Sequence, residues 1–73
     1  MSQMEKIINE GFGYVIVERD SKLFIQYDNG QSASWTVENE ISLEEAKKAM
    51  QNEQSAYHVI LEAQRRGDTK RVR

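Results

Sequence analysis

Seventy-three residues with no cysteine and one histidine leave no room for a second domain, a disulfide framework, or a thiolate or multi-imidazole metal site within one chain. The formal net charge is −2, unevenly spread. Five basic residues against one acid give 65–73 a net +4 and leave −6 on the first 64, a matter of partners and not of fold.

A chain this short buries only about 60% of the surface that it exposes when unfolded. With disulfides and metal set aside, association with another chain is the remaining way to reinforce it. No apolar run approaches the ~20 residues needed to span a bilayer, and the opening lacks a secretory pattern. Ser2 argues against myristoylation. The expectation is a cytoplasmic protein that does not enter membranes and carries no cofactor.

Taken in chain order, residues 4–10 are ambiguous. Met4, Ile7 and Ile8 suit a helical turn, and Ile7-Ile8 also suits the start of an edge strand. The next glycines, Gly11 and Gly13, precede a strand instead of opening a helix, so they do not read as a dinucleotide-binding turn. Tyr14–Glu18 is rich in β-branched and aromatic residues and reads as a strand; a turn at Arg19–Ser21 leads to a second, Lys22–Tyr27. Gln31–Glu38 alternates small or polar with apolar and reads as a third.

The turn between the last two is taken as Asp28-Asn29-Gly30. That length pairs Tyr27 with Gln31, Ile25 with Ala33 and Leu23 with Trp35. It gathers Leu23, Ile25, Tyr27, Ala33, Trp35 and Val37 on one face, whereas one residue of slip would scatter them. Phe24, Gln26, Ser32, Ser34 and Thr36 then face the other way. The first strand is apolar on both sides, so either the N-terminal segment or another molecule is expected to cover its outer face.

Ser42 followed by Glu45 is the capping box that opens a helix, and Arg65, Arg66 and Gly67 close it. The expected buried stripe is Leu43, Ala46, Met50, Tyr57, Ile60 and Leu61, with Ala49, Ala56 and Ala63 as a small-residue flank. Twenty-four helical residues would span about 36 Å, against about 20–23 Å for the strands. A break at 51–55, capped by Asn52 or Ser55, would resolve the mismatch, but a mostly continuous helix with a projecting end is favoured.

The fold expected is therefore α+β: a three-stranded antiparallel meander followed by one long C-terminal helix on one face of the sheet. Residues 1–67 form the domain, and 68–73 form a disordered basic tail.

For chemistry the sequence offers little. His58 has no second histidine or cysteine to support it. Ser55, His58 and Glu62 share a helix face, but one helix on a small sheet gives them no shaped pocket or oxyanion hole. The reading is a non-enzymatic, self-associating protein–protein interaction module, a homodimer whose further partner is another protein. Its candidate contacts are Tyr14, Val15, Val17 and Phe24 from the sheet with Tyr57, His58 and Ile60 from the helix. Glu38, Glu40, Glu44 and Glu45 form a candidate acidic patch for steering. The alternative is nucleic-acid binding through Arg65, Arg66, Lys70, Arg71 and Arg73. In size, acidity and strand–strand–strand–helix order the chain resembles small bacterial and phage-borne immunity and inhibitor proteins. That resemblance implies a blocking role and assigns no residues.

Overall fold

In the computed structural model, which describes residues 5–11, 13–28, 36–67 and 69–72, the chain alternates a meander of strands with a helical pair. The strands are β1 (Lys6–Gly11), β2 (Tyr14–Arg19), β3 (Lys22–Asp28), β4 (Thr36–Ile41) and β5 (Lys70–Arg71). The helices are α1 (Leu43–Ala49) and α2 (Glu53–Arg66). The sheet is antiparallel throughout, in the order β1-β2-β3-β4-β5. The α+β class agrees with the sequence reading, but three strands become five and one helix becomes two.

Residues 6–11 take the edge-strand alternative, with a bulge where Ile7 and Asn9 bracket one extra residue opposite Val17 and Ile16. Asp20 and Ser21 both have positive φ (55° and 64°) and join β2 to β3 through the Arg19–Lys22 pair. Positive φ at both central residues matches the twist of the flanking strands.

The third expected strand lies further along the chain. Ile25 pairs with Asn39, Tyr27 with Val37 and Leu23 with Ile41, six residues beyond the expected register. Six is an even number, so each side chain keeps its expected face: Leu23, Ile25, Tyr27 and Val37 share one side of the sheet. The observed register places Asn39, which lay beyond the expected strand, opposite Ile25, where it is 1% exposed. Its amide is fully employed inside, accepting from Tyr27 Oη at 2.6 Å and donating to Ala63 O at 3.2 Å and Thr69 Oγ1 at 3.0 Å. Asn29, Gly30 and Trp35, on which the expected turn and a helix-facing tryptophan rest, lie outside the described residues.

The single long helix does not form. α1 stops at Ala49, and Asn52 turns extended (φ −165°, ψ 174°) while its Oδ1 accepts from Ser55 N at 2.8 Å. The break lets α2 fold back beside α1, bringing Arg66 to Glu45. Its 14 residues span about 21 Å, matching the strands. The capping box is present as read: Ser42 Oγ accepts from Glu45 N, and Glu45 Oε1 accepts from Ser42 N.

With the helix broken, only Ala46 and, in part, Ile60 of the expected stripe face inward. The buried helical residues are Ala46, Ala49, Ala56, Val59 and Ala63, and the first four cluster with Tyr14, Ile16, Ile25, Tyr27, Val37 and Ile41. The alanine flank is thus the core face, and its short side chains let the helices lie close to the sheet. Leu43, Met50, Tyr57 and Leu61 are exposed instead. Within the expected disordered tail, Lys70 and Arg71 pair with Glu38 and Val37, and Val72 N donates to Thr36 O at 2.8 Å. The free edge of β4 supplies the unpaired backbone groups that hold them, and Lys70 stands opposite an acid.

Candidate functional site

Two surfaces bear on function: the sheet face away from the helices and the outward side of α2. On the sheet, Val17 would be the apolar centre, but it is 1% exposed. A polar lid covers that region. Arg19 stacks over Phe24, with 4.3 Å from its guanidinium carbon to the ring centroid, and its Nη2 donates to Glu38 Oε1 at 2.6 Å. Gln26 Nε2 donates to the same Glu38 oxygen at 3.1 Å and to Glu5 Oε2 at 3.4 Å. The hydrogen bond to Glu38 raises the Arg19 pKa above its ordinary value, against the opposing cost of burial. Arg19 Nε is buried without a hydrogen bond, 3.7 Å from Glu5 Oε2.

This lid covers Val17, while β1 lies beside β2 in the same sheet and leaves Ile7 exposed on that face. It also redraws the sheet half of the expected contact surface. Val17 is shielded within the domain. Tyr14 lies on the helix side, where its hydroxyl donates to Ala49 O at 2.9 Å, so neither offers a side chain to a partner. Val15 and Phe24 are half-buried on the outer face.

The expected acidic patch is divided. Glu38 is buried against Arg19, and Glu45 serves both the cap and the Arg66 ion pair at 2.8 Å, leaving Glu40 and Glu44 exposed. Burial alone would push the Glu45 carboxyl up, but hydrogen bonds from Arg66 and the Ser42 backbone outweigh it, and its pKa is lowered. The basic group is divided as well. Arg66 donates to Glu45 and to Glu40 O, and Lys70 borders a depression shared with Arg19, Phe24, Glu38 and Glu40. Arg65 and Arg71 are exposed, and Arg73 lies outside the described residues.

The helix half of the expected surface fares differently. Tyr57 is 61% exposed, His58 is exposed and Ile60 is half-buried against the core. Leu61, assigned to the core by its spacing, joins them at 38% exposed. Tyr57 and Leu61 stand four residues apart and form one ridge. Depressions lie on either side, one of about 380 Å³ beside Ile60 and one of about 560 Å³ beside His58. The signal that could have found Leu61 is the 3-4-3 spacing of Gln54, Tyr57, Leu61 and Gln64, a second stripe out of phase with the alanines.

The architecture defines a small α+β domain, an antiparallel sheet backed on one face by a pair of helices. The chain matches no protein-family model, no curated protein sequence and no solved structure. No helix of the described residues is long and apolar enough to cross a membrane.

Proposed function

We propose that the protein is a non-enzymatic interaction module that acts by contact with another protein chain, using the outward ridge of α2. The observation that carries this reading is the exposure of Tyr57 and Leu61 side by side on a helix whose core side is filled by alanine and valine. A 61% exposed tyrosine beside a leucine leaves apolar surface in water that a partner would bury, and tyrosine is among the residues that most often anchor interfaces. On the sheet face the central Val17 is shielded by the Arg19–Glu38 lid, and the apolar surface left there is Ile7 at the β1 edge with half-buried Val15 and Phe24. Steering by charge falls to exposed groups among the candidates, Glu40, Glu44 and Arg65. Nucleic-acid binding is the weaker reading, because Arg66 is committed to Glu45 and Lys70 sits beside Glu38. The likeness to immunity and inhibitor proteins rested on an element order that differs from β1-β2-β3-β4-α1-α2-β5.

The test is a comparison of proteins retained by the wild type and by the Tyr57→Asp/Leu61→Asp double variant, with folding checked by circular dichroism. A specific partner should be retained by the first and lost by the second. Equal retention by both would remove α2 from the interface.

A further inference from the structure

The outward stripe of α2 has an internal symmetry that the core stripe lacks. Read forwards it is Gln54, Tyr57, Leu61, Gln64, all exposed; read backwards it is again a glutamine, a large apolar residue, a large apolar residue and a glutamine at the same spacings. Immediately outside the glutamines stand an acid, Glu53, and a base, Arg65, both exposed. Such a pattern complements a copy of itself running in the opposite direction. From these observations, and resting on the contact reading above, we infer that the partner of this ridge is the α2 helix of a second copy, packed antiparallel about a two-fold axis between Tyr57 and Leu61.

The geometry follows from the spacing. Positions 3 and 4 residues apart form the seam of paired helices. An antiparallel match sets Tyr57 against Leu61 of the second copy twice over, and Gln54 level with the opposite Gln64 at each end. Each end then holds Glu53 and Gln54 of one copy beside Gln64 and Arg65 of the other, so acid meets base. The helix dipoles are likewise opposed, whereas a parallel pair would align them and place Glu53 with Glu53. Access is open, because α1 lies on the opposite flank of α2, the one that Arg66 uses to reach Glu45. The depression beside Ile60 borders Tyr57 and the one beside His58 borders Leu61, so each gives a facing side chain somewhere to seat. A single 14-residue helix pair falls at or below the lower end of stable interfaces, about 1,200 Å², so the assembly is a concentration-dependent monomer–dimer equilibrium.

Sedimentation equilibrium of the intact chain across micromolar to millimolar concentration tests this. The wild type should dimerise reversibly, and Leu61→Asp should weaken dimerisation by at least about thirtyfold while leaving the circular dichroism unchanged. Arg65→Glu should weaken it severalfold, and Glu53→Arg combined with Arg65→Glu should restore it. Because the chain has no cysteine, direction can be read by cross-linking. Gln54→Cys mixed with Gln64→Cys should form a disulfide under mild oxidation, and Gln54→Cys alone should not. A wild type that stays monomeric, a dimer indifferent to Leu61→Asp, or a disulfide between two copies of Gln54→Cys would overturn the proposal. A monomer that still retains a different protein only while Tyr57 and Leu61 are intact would overturn self-docking and leave the contact reading standing.

Discussion

Tyr14 and Tyr27 stand opposite each other on β2 and β3, and each hydroxyl secures a different helix. Tyr14 donates directly to Ala49 O at the end of α1. Tyr27 donates to Asn39, whose amide in turn donates to Ala63 O in the last turn of α2. Both carbonyls are among the last four of their helices, which have no partner within the helix itself. One cross-strand pair of tyrosines thus fixes the position of the whole helical layer.

Removing either hydroxyl should therefore loosen one helix more than the other. Tyr14→Phe and Tyr27→Phe are each expected to cost about 1–3 kcal/mol, since a buried group loses its partner. Urea unfolding gives the totals. Amide exchange gives the location: faster in α1 for Tyr14→Phe, faster in α2 for Tyr27→Phe. Equal acceleration in both helices from either change would show that the tyrosines do not act as separate latches.

The helix break depends on one short side chain. Asn52→Ala removes the acceptor for Ser55 N and should destabilise the protein by about 1 kcal/mol, while Asn52→Asp keeps an acceptor and should cost less. Thermal unfolding of the two variants side by side checks the order.

What could be read in advance tracks how local each cause is. The Ser42–Glu45 box needs only residues three apart, and it appeared as read. The inward face of β3 was legible too, and Val37 of β4 with it, because alternation survives an even slip of register. The register itself was not, since it hinges on Asn39 being satisfied by Tyr27, Ala63 and Thr69, residues 12 to 30 positions away. The core side of the helices was read only in part, with Ala46 and Ile60 placed inward as found. Leu43, Met50, Tyr57 and Leu61 are larger than Ala49, Ala56 and Ala63, and hydrophobicity alone selects the larger set. Close packing of helix on sheet selects the smaller one. Half of the surface ridge was legible, since Tyr57 also reads as a contact, whereas Leu61 reads from its spacing as core alone. The two-residue strand β5 has no pattern of its own and exists only because β4 offers an edge.

The β2–β3 turn stores strain that can be relieved. Ser21 has φ 64°, a left-handed conformation that costs a residue with a Cβ roughly 1–2 kcal/mol relative to glycine. Ser21→Gly gives part of that back in extra chain entropy when unfolded, so a net gain of about 0.5–1 kcal/mol is expected. A higher midpoint in urea with an unchanged slope would be the signature. A lower midpoint would mean that the serine side chain contributes more than its backbone costs.

Acid should weaken the tie between the two helices. The Glu45 pKa is lowered in the folded protein, so its contribution to stability is present above the unfolded glutamate value and is lost as pH falls through the folded one. The pair is partly open to solvent, 43% for the Arg66 side chain and 23% for Glu45, so the effect is well under that of a buried pair. Glu45→Gln should flatten the acid side of the stability–pH curve while leaving the neutral side lower. If the variant kept the full acid dependence, other carboxylates would be responsible for it.

The same charge placed two residues apart on α2 should have opposite consequences, and this separates contact surface from core. Leu61→Asp falls on the outward ridge, where helix propensity, dipole and partial burial together cost about 1 kcal/mol. Val59→Asp puts a carboxylate at a position 3% exposed, among Ala56, Ile25 and Val37, with the penalty of an unpaired buried charge. That cost is several kcal/mol against the thin margin of so small a core, and the variant should be largely unfolded by circular dichroism at room temperature. A folded, monomeric Leu61→Asp beside an unfolded Val59→Asp would establish that Leu61 is kept apolar for what it touches outside the domain. Comparable unfolding in both would place Leu61 in the core and return the exposed ridge to Tyr57 alone.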